Sequence, residues 1–334
     1  MDSNVSKNTI SHKFFKLRLN QEKPAIFVKN LLKKRLLMSL NLYQQELNRQ
    51  IDLGLMAATL ERKIVLSIFE LRHLSTEIKT EQILSNAKFA PIVYSCPIGL
   101  CLASALQMSP SIIVEQLGHL LTVKPDNIAA ESELDLLIEI VSSGWINFYL
   151  DSEAIAGWLE RSQLVITNQT TARSYSATAG ILLDAGSRTL DKLFVMQYIH
   201  ARCCSLLQLG AREKAIAIQD NFDYIGWQIV EPQLISWADE EHNLWFSKLS
   251  EHNLLCRLLS VTDSFASNSN DWLKLSWNLS CDTAIFLADC RFLGEVKQRC
   301  PQKAIARLGL IALVQYWLQK ILVEKLKVAA PKTL

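Results

Sequence analysis

Glycine and proline are scarce, at 11 and 8 among 334 residues, and β-branched alternation is rare. Tight turns draw on both residue types, so their shortage weighs against a β-dominated fold. No Cys-x-x-Cys pair occurs among the eight cysteines, at 96, 101, 203, 204, 256, 281, 290 and 300. Without that spacing two sulfurs do not converge on one centre, so no zinc or redox-dithiol signature is present. The sequence shows no charged-then-apolar leader, and free, mostly buried thiols in a reducing cytoplasm are expected. A phosphate-binding glycine loop, a Ser-His-Asp order and a paired-carboxylate motif are missing too. The catalytic inventory is empty, and neither a cofactor, a metal nor a small-molecule substrate is expected.

Charge excess is also lacking overall, since 35 basic and 33 acidic side chains leave +2. The balance hides an asymmetry. Residues 1–43 hold nine basic side chains against Asp2 and Glu22, a local charge of +7. A basic arm over residues 1–25, flexible and able to reach phosphate or an acidic surface, is expected.

Long apolar runs free of charge are limited to one, from Phe89 to Val114. It is long enough to cross a bilayer, but Pro91, Pro97 and Pro110 interrupt it. A buried strand followed by a buried helix is the expected reading, with no membrane partner.

What is present is helical periodicity. Leu, Ile and Ala recur at helical spacing from Ala25 and again through ATLERKIVLSIFELRHL, with Lys33, Lys34 and Arg35 on the outer face of the first run. FAPIVY reads as a short strand. Ser109 is placed to cap the next helix but one, with Pro110 at its first position. LLIEIVSSGWINFYLDS reads as two strands joined at 142–144, and SEAIAGWLERS resumes helix. The Thr-, Ser- and Gln-rich stretch 163–179 is the clearest linker, and everything beyond reads as helices with a break at 221–233.

The string FVMQYIHARCCSLL, residues 194–207, places Tyr198, His200 and Arg202 within an apolar helix. At about 100° per residue, Val195, Met196, Ile199, Cys203, Leu206 and Leu207 share one arc. Gln197, Tyr198, Ala201, Cys204 and Ser205 form the opposite face. His200 and Arg202 sit at its borders, about 160° apart, so they do not act as a pair. The acidic run DEEH at 239–242, with His252, reads as a solvated face or helix start rather than as metal ligands.

Several motifs in order resemble the non-catalytic parts of arginyl-tRNA synthetase. IFVKNLLKKRL, LASALQMSPSIIVEQL and VSSGWINFYL are similar to that family's N-terminal additional domain, which grips the tRNA elbow. The Gln-Tyr-x-His-Ala-Arg core at 197–202, LADCRFL at 287–293, ARLGLIALVQYWL and the closing KVAAP are similar to its helical DALR anticodon-binding domain. The resemblance implies an additional-type domain over 26–166, a linker at 167–187 and a DALR-type bundle over 188–334. The fold expected is therefore mainly α, with a small α+β N-terminal domain (a short antiparallel sheet with helices) before an all-α bundle. The family's His-Ile-Gly-His-like and Lys-Met-Ser-Lys-Ser-like signatures are absent from these 334 residues, so aminoacylation by them alone is not expected. At family contact positions Pro97 replaces an asparagine, Leu287 an aromatic ring and Leu334 a methionine.

The resemblance implies binding of tRNA or a tRNA-like RNA. Its candidate contacts are Tyr94, Tyr198, His200, Arg202, Arg291, Arg307 and Lys332, joined by Lys33, Lys34 and Arg35; the alternatives are helix packing for Tyr198, bonds to helix ends or acids at the core rim for His200 and Arg202, and a salt bridge within the bundle for Arg291 or Arg307. The alternative is a scaffold for a protein partner that keeps the fold and has lost the RNA.

Overall fold

The structure, a computed structural model, describes residues 12–20, 27–47, 51–68, 92–122, 133–167, 187–220, 227–267 and 271–334. It is mainly helical, with a small antiparallel sheet N-terminal to a helical region. The chain divides into two compact units between Ala154 and Ile155.

The first unit contains a five-stranded sheet of order β1-β4-β5-β3-β2. Its strands are β1 (His12–Asn20), β2 (Val65–Ile68), β3 (Ile92–Cys96), β4 (Glu133–Val141) and β5 (Trp145–Leu150), and every pairing is antiparallel. Its helices are α1 (Val28–Leu47), α2 (Leu53–Lys63), α3 (Ile98–Leu106) and α4 (Pro110–Thr122). In α1 the buried residues Val28, Leu32, Leu36, Leu40 and Tyr43 step by four, four, four and three, which makes one continuous face. Each such side chain contributes about 1.5–3 kcal/mol over leaving it in water. Tyr43 finishes the face with a polar lock, its hydroxyl donating to Gln116 Oε1 of α4 at 2.6 Å. The β4–β5 turn closes at Gly144, whose φ of +95° suits glycine. A Cβ there would also stand 2.7 Å from Pro110 Cβ.

Two expectations change in this unit. His12–Asn20, expected within a flexible arm, pairs with β4 along its whole length. The sequence Phe15-Lys16-Leu17-Arg18-Leu19 alternates with period two, a strand pattern that its basic charge disguised. The helical run expected through residue 74 ends at Lys63, and β2 begins two residues later. Ile64 and Val65 are β-branched, and such side chains fit a pleated ladder better than a helix. Residues 69–74 lie outside the described residues.

The second unit begins within α5 (Ser152–Thr167) and continues through α6 (Ser187–Arg212), a β6–β7 hairpin (Ala217–Asp220 and Trp227–Glu231), α7 (Leu249–Ala266), α8 (Trp272–Asp289), the short α9 (Glu295–Arg299) and α10 (Pro301–Lys320). A π-helical turn, Ile321–Lys325, follows α10. Buried Gln163 of α5 donates Nε2 to the Gln233 carbonyl at 3.0 Å and accepts the Ile235 amide at 3.1 Å. The stretch 163–179, expected as linker, is thus helical as far as Thr167, and 168–186 lie outside the described residues. The break expected at 221–233 includes β7 of the hairpin. DEEH is not a helix start, but Glu240, Glu241 and His242 are exposed, so the solvated face expected there is present. Asp239 Oδ1 accepts the Glu241 and Asn243 amides at 3.0 and 2.8 Å, closing a turn.

α6 and α10 pack antiparallel, because His200 meets Gln315 whereas Gly210 lies against Leu308. Gly309 lets the Trp237 indole approach the α10 backbone; a Cβ would stand 2.5 Å from its ring. Of the helices described, Pro301–Lys325 is long and apolar enough to cross a membrane, and 83% of its apolar window is buried inside the protein.

Candidate nucleic-acid interface

The opening helix of the second unit sorts its polar residues by burial. His200 is fully buried. A carbonyl can only accept, so Nδ1–H donates to the Pro331 oxygen at 2.8 Å. Nε2 is then free to accept from Gln315 Nε2 at 3.1 Å. Burial pushes its pKa down, which keeps the ring neutral. The neighbouring Gln197 donates to the Ala329 carbonyl at 2.7 Å, and Lys332 lies 4.9 Å from the centre of the Trp227 ring. The C-terminal segment is therefore strapped along one side of α6. His200, Gln197 and Lys332 hold that strap.

The opposite outcome holds for Tyr198 and Arg202. Tyr198 is 50% exposed, Phe194 one turn earlier is 59% exposed, and Arg202 one turn later is exposed as well. Positions four apart advance only about 40°, so the three side chains form one stripe. Leu190, 51% exposed, extends it by another turn. The face expected from the wheel is corrected here. Ala201 and Cys204 are buried, and Tyr198 keeps company with Phe194 and Arg202 instead. Phe194 was missed as a candidate, although its i, i+4 spacing to Tyr198 was there to find.

The other candidates scatter. Tyr94 sits in β3 with no exposure, so its ring has no face to offer a base. Asn147 and Tyr149 of β5 both donate to Oε2 of buried Glu139, at 2.7 and 2.6 Å. Burial raises the Tyr149 pKa, and the bond to Glu139 adds to that. Lys33, expected on an outer face, is ion-paired with Glu61. Arg35 donates Nη2 to the Leu121 carbonyl at 2.7 Å, and burial lowers its pKa. Lys34 alone of the three is exposed. Arg291 and Arg307 do come together: Arg307 Nη1 donates to the Arg291 carbonyl. Arg307 is 3% exposed and ion-paired with Glu251, whereas Arg291 is exposed.

The tryptophans supply no exposed platform. Trp158, Trp237 and Trp317 are buried, and Trp317 and Trp272 pack their rings on Phe265 at 5.0 and 4.7 Å. All eight cysteines are free thiols; burial pushes Cys96 and Cys256 up to about 12, which leaves them unreactive. Among the described residues no group of three His, Cys, Asp or Glu side chains is placed to hold a metal ion.

No family model matches the chain, and no solved structure matches it. An arginine–tRNA ligase from Gloeobacter violaceus is 28% identical over 148 residues, which is 42% of this chain and 22% of the ligase. The chain thus matches less than a quarter of that relative's length. Its kinship with arginyl-tRNA synthetases is distant and partial, and it is the relationship that the sequence supports.

Proposed function

We propose that this chain binds tRNA, or an RNA folded like it, without charging it, and that the α6 stripe makes the base contacts. The observation that carries this reading is the exposure of Phe194, Tyr198 and Arg202 on one face. Two aromatic rings supply stacking platforms, and the guanidinium supplies a phosphate partner or a further stacking plane. Arginine–tRNA ligase is named for a tRNA-dependent reaction, and similarity to it over part of the chain supports an RNA ligand. Within these 334 residues no signature for holding ATP phosphates accompanies the similarity, which supports binding without catalysis. In such a role the chain presents RNA to another protein, as an adaptor.

A filter-binding series with total tRNA tests the reading. Neutralising several phosphates releases counterions, so affinity is expected to fall about 10³-fold between low and moderate salt. No retention of tRNA at low salt would sink it.

A second reading is favoured by one feature of the same stripe, the leucine at its N-terminal end. Leu190 with Phe194 and Tyr198 also suits an apolar protein groove. In that case the chain is a scaffold, and a stoichiometric partner would survive ribonuclease during purification.

A further inference from the structure

At the far end of α10 from the strap, a cleft of about 530 Å³ opens between the start of α7, the end of α8, the short α9 and the start of α10. Its walls carry five cations, Lys248, Arg291, Arg299, Lys303 and Arg307, against Asp289 and Glu295. The pairing within the protein decides which of these charges remain for a ligand.

Arg307 forms part of the wall and is used up. Its Nε donates to Glu251 Oε1 at 2.7 Å, and both side chains are nearly inaccessible, at 4% and 0%. The other Glu251 oxygen accepts the Ser247 and Lys248 amides at 2.7 and 2.8 Å, capping α7. Glu251 therefore points its charge into the protein and not into the cleft. Lys248 pairs with Asp289 at 3.1 Å, and Asp289 also accepts the Ser250 hydroxyl at 2.7 Å. Those contacts, the Ser250 bond foremost, hold its pKa below the usual carboxylate range, so it stays ionised beside Lys248. Arg299 pairs with Glu295 at 2.9 Å.

Two cations are left over. Arg291 is exposed and makes no ion pair among the described residues. Among the described residues Lys303 meets only the Ser247 hydroxyl, at 2.9 Å. Lys303 lies in the first turn of α10, which is 20 residues long, with Cys300 at its N-cap offering no side-chain bond and Pro301 in the same turn. The amide ends of a helix that no side chain caps add positive potential at the same place. A carboxylate offers two oxygens and one charge. A phosphate offers three terminal oxygens and up to two charges, enough to engage an arginine fork, a lysine and a helix terminus together.

We propose that the cleft bounded by Arg291, Lys303 and the start of α10 is a phosphate-binding site, separate from the α6 stripe. Lys303 and Gln315, the residue that meets His200, are about 18 Å apart along a helix rising 1.5 Å per residue. The ligand's phosphates belong either to a free polyphosphate or nucleotide or to an RNA backbone.

Calorimetric titration of the full chain with sodium tripolyphosphate, at constant ionic strength, tests the site. Saturable binding is expected, and reversing both free cations, Arg291→Glu with Lys303→Glu, weakens it about 10- to 100-fold. Neither side chain holds an ion pair, so far-UV circular dichroism should stay unchanged. If the double variant fails to fold, Arg291→Ala takes its place, with a loss of about tenfold. Tyr198→Ala is expected to leave tripolyphosphate binding intact, so failure here and failure of the α6 reading are distinguishable. An unstructured uridine oligonucleotide separates the two sources. Displacement by tripolyphosphate, lost on charge reversal, assigns the cleft to an RNA backbone; tripolyphosphate binding without oligonucleotide competition assigns it to a free phosphate. Binding that survives the charge reversal, or no saturable binding of either probe, overturns the proposal.

Discussion

The two units treat the same residue types in opposite ways. In the first, the tyrosine and two of the three cations singled out as contacts do structural work: Tyr94 is sealed in the sheet, Lys33 is paired, and Arg35 is tied to the end of α4. In the second, Tyr198 and Arg202 face solvent with Phe194, and Arg291 and Lys303 line a cleft without carboxylate partners. Similar chemistry in a motif thus becomes packing in one place and an exposed surface in another. What decides between them is whether a neighbouring element covers the side chain. Tyr94 on β3 is wholly buried, whereas Tyr198 on α6 leaves half its surface to solvent.

That contrast breaks most readily at its extremes. Arg307→Ala is expected to cost about 3–5 kcal/mol, because it strands the buried Glu251 carboxylate without its cation. Urea unfolding followed by tryptophan fluorescence measures the loss, and Arg291→Ala beside it should stay within about 0.5 kcal/mol. Tyr94→Ala should also cost about 3–5 kcal/mol, as removal of a fully buried ring does.

Acid provides the next effect. His252 is buried and its folded pKa is pushed down to about 4 by desolvation, against an unfolded value of 6.5. The native state therefore binds fewer protons than the unfolded chain in that window, and stability falls as pH falls. It should be full above about pH 6.5 and drop by on the order of 3 kcal/mol by pH 4. His200, lowered by burial as well, acts in the same direction. His252→Gln is expected to flatten much of that slope in urea midpoints taken across the range.

The smallest effect tests the first unit's surface. Lys33→Ala removes a half-buried pair with Glu61 and should cost at most about 1 kcal/mol. Its tRNA affinity should be almost unchanged, because that lysine is already spoken for.

Much of the helical architecture was legible from spacing. α1 shows its buried face at every third or fourth residue, and Ser109 caps α4 as expected, accepting the Ile112 amide at 3.4 Å. The strands were harder to read. β1 hid behind its lysines, and β2 followed a helix with no glycine or proline between them. Their partners β4 and β3 lie far along the chain, and pairing at that range leaves no local signal. The candidate site divides along the same line. The wheel correctly separated His200 from Arg202, because that is local geometry. It could not show that Pro331, 131 residues away, covers His200, nor that Ala201 and Cys204 are buried. The cleft was out of reach for the same reason. Lys248, Arg291 and Lys303 meet only after α7, α8 and α10 have packed.

The most direct measurement of the central claim is the tRNA affinity of Tyr198→Ala against wild type, by fluorescence anisotropy at low salt, with the unfolding midpoint taken on the same samples. Loss of one stacking ring is worth about 1–3 kcal/mol, so affinity should drop at least about fivefold while the midpoint hardly moves. Unchanged affinity, or a loss that only tracks a fall in stability, would contradict the assignment of the α6 stripe as the RNA-reading face.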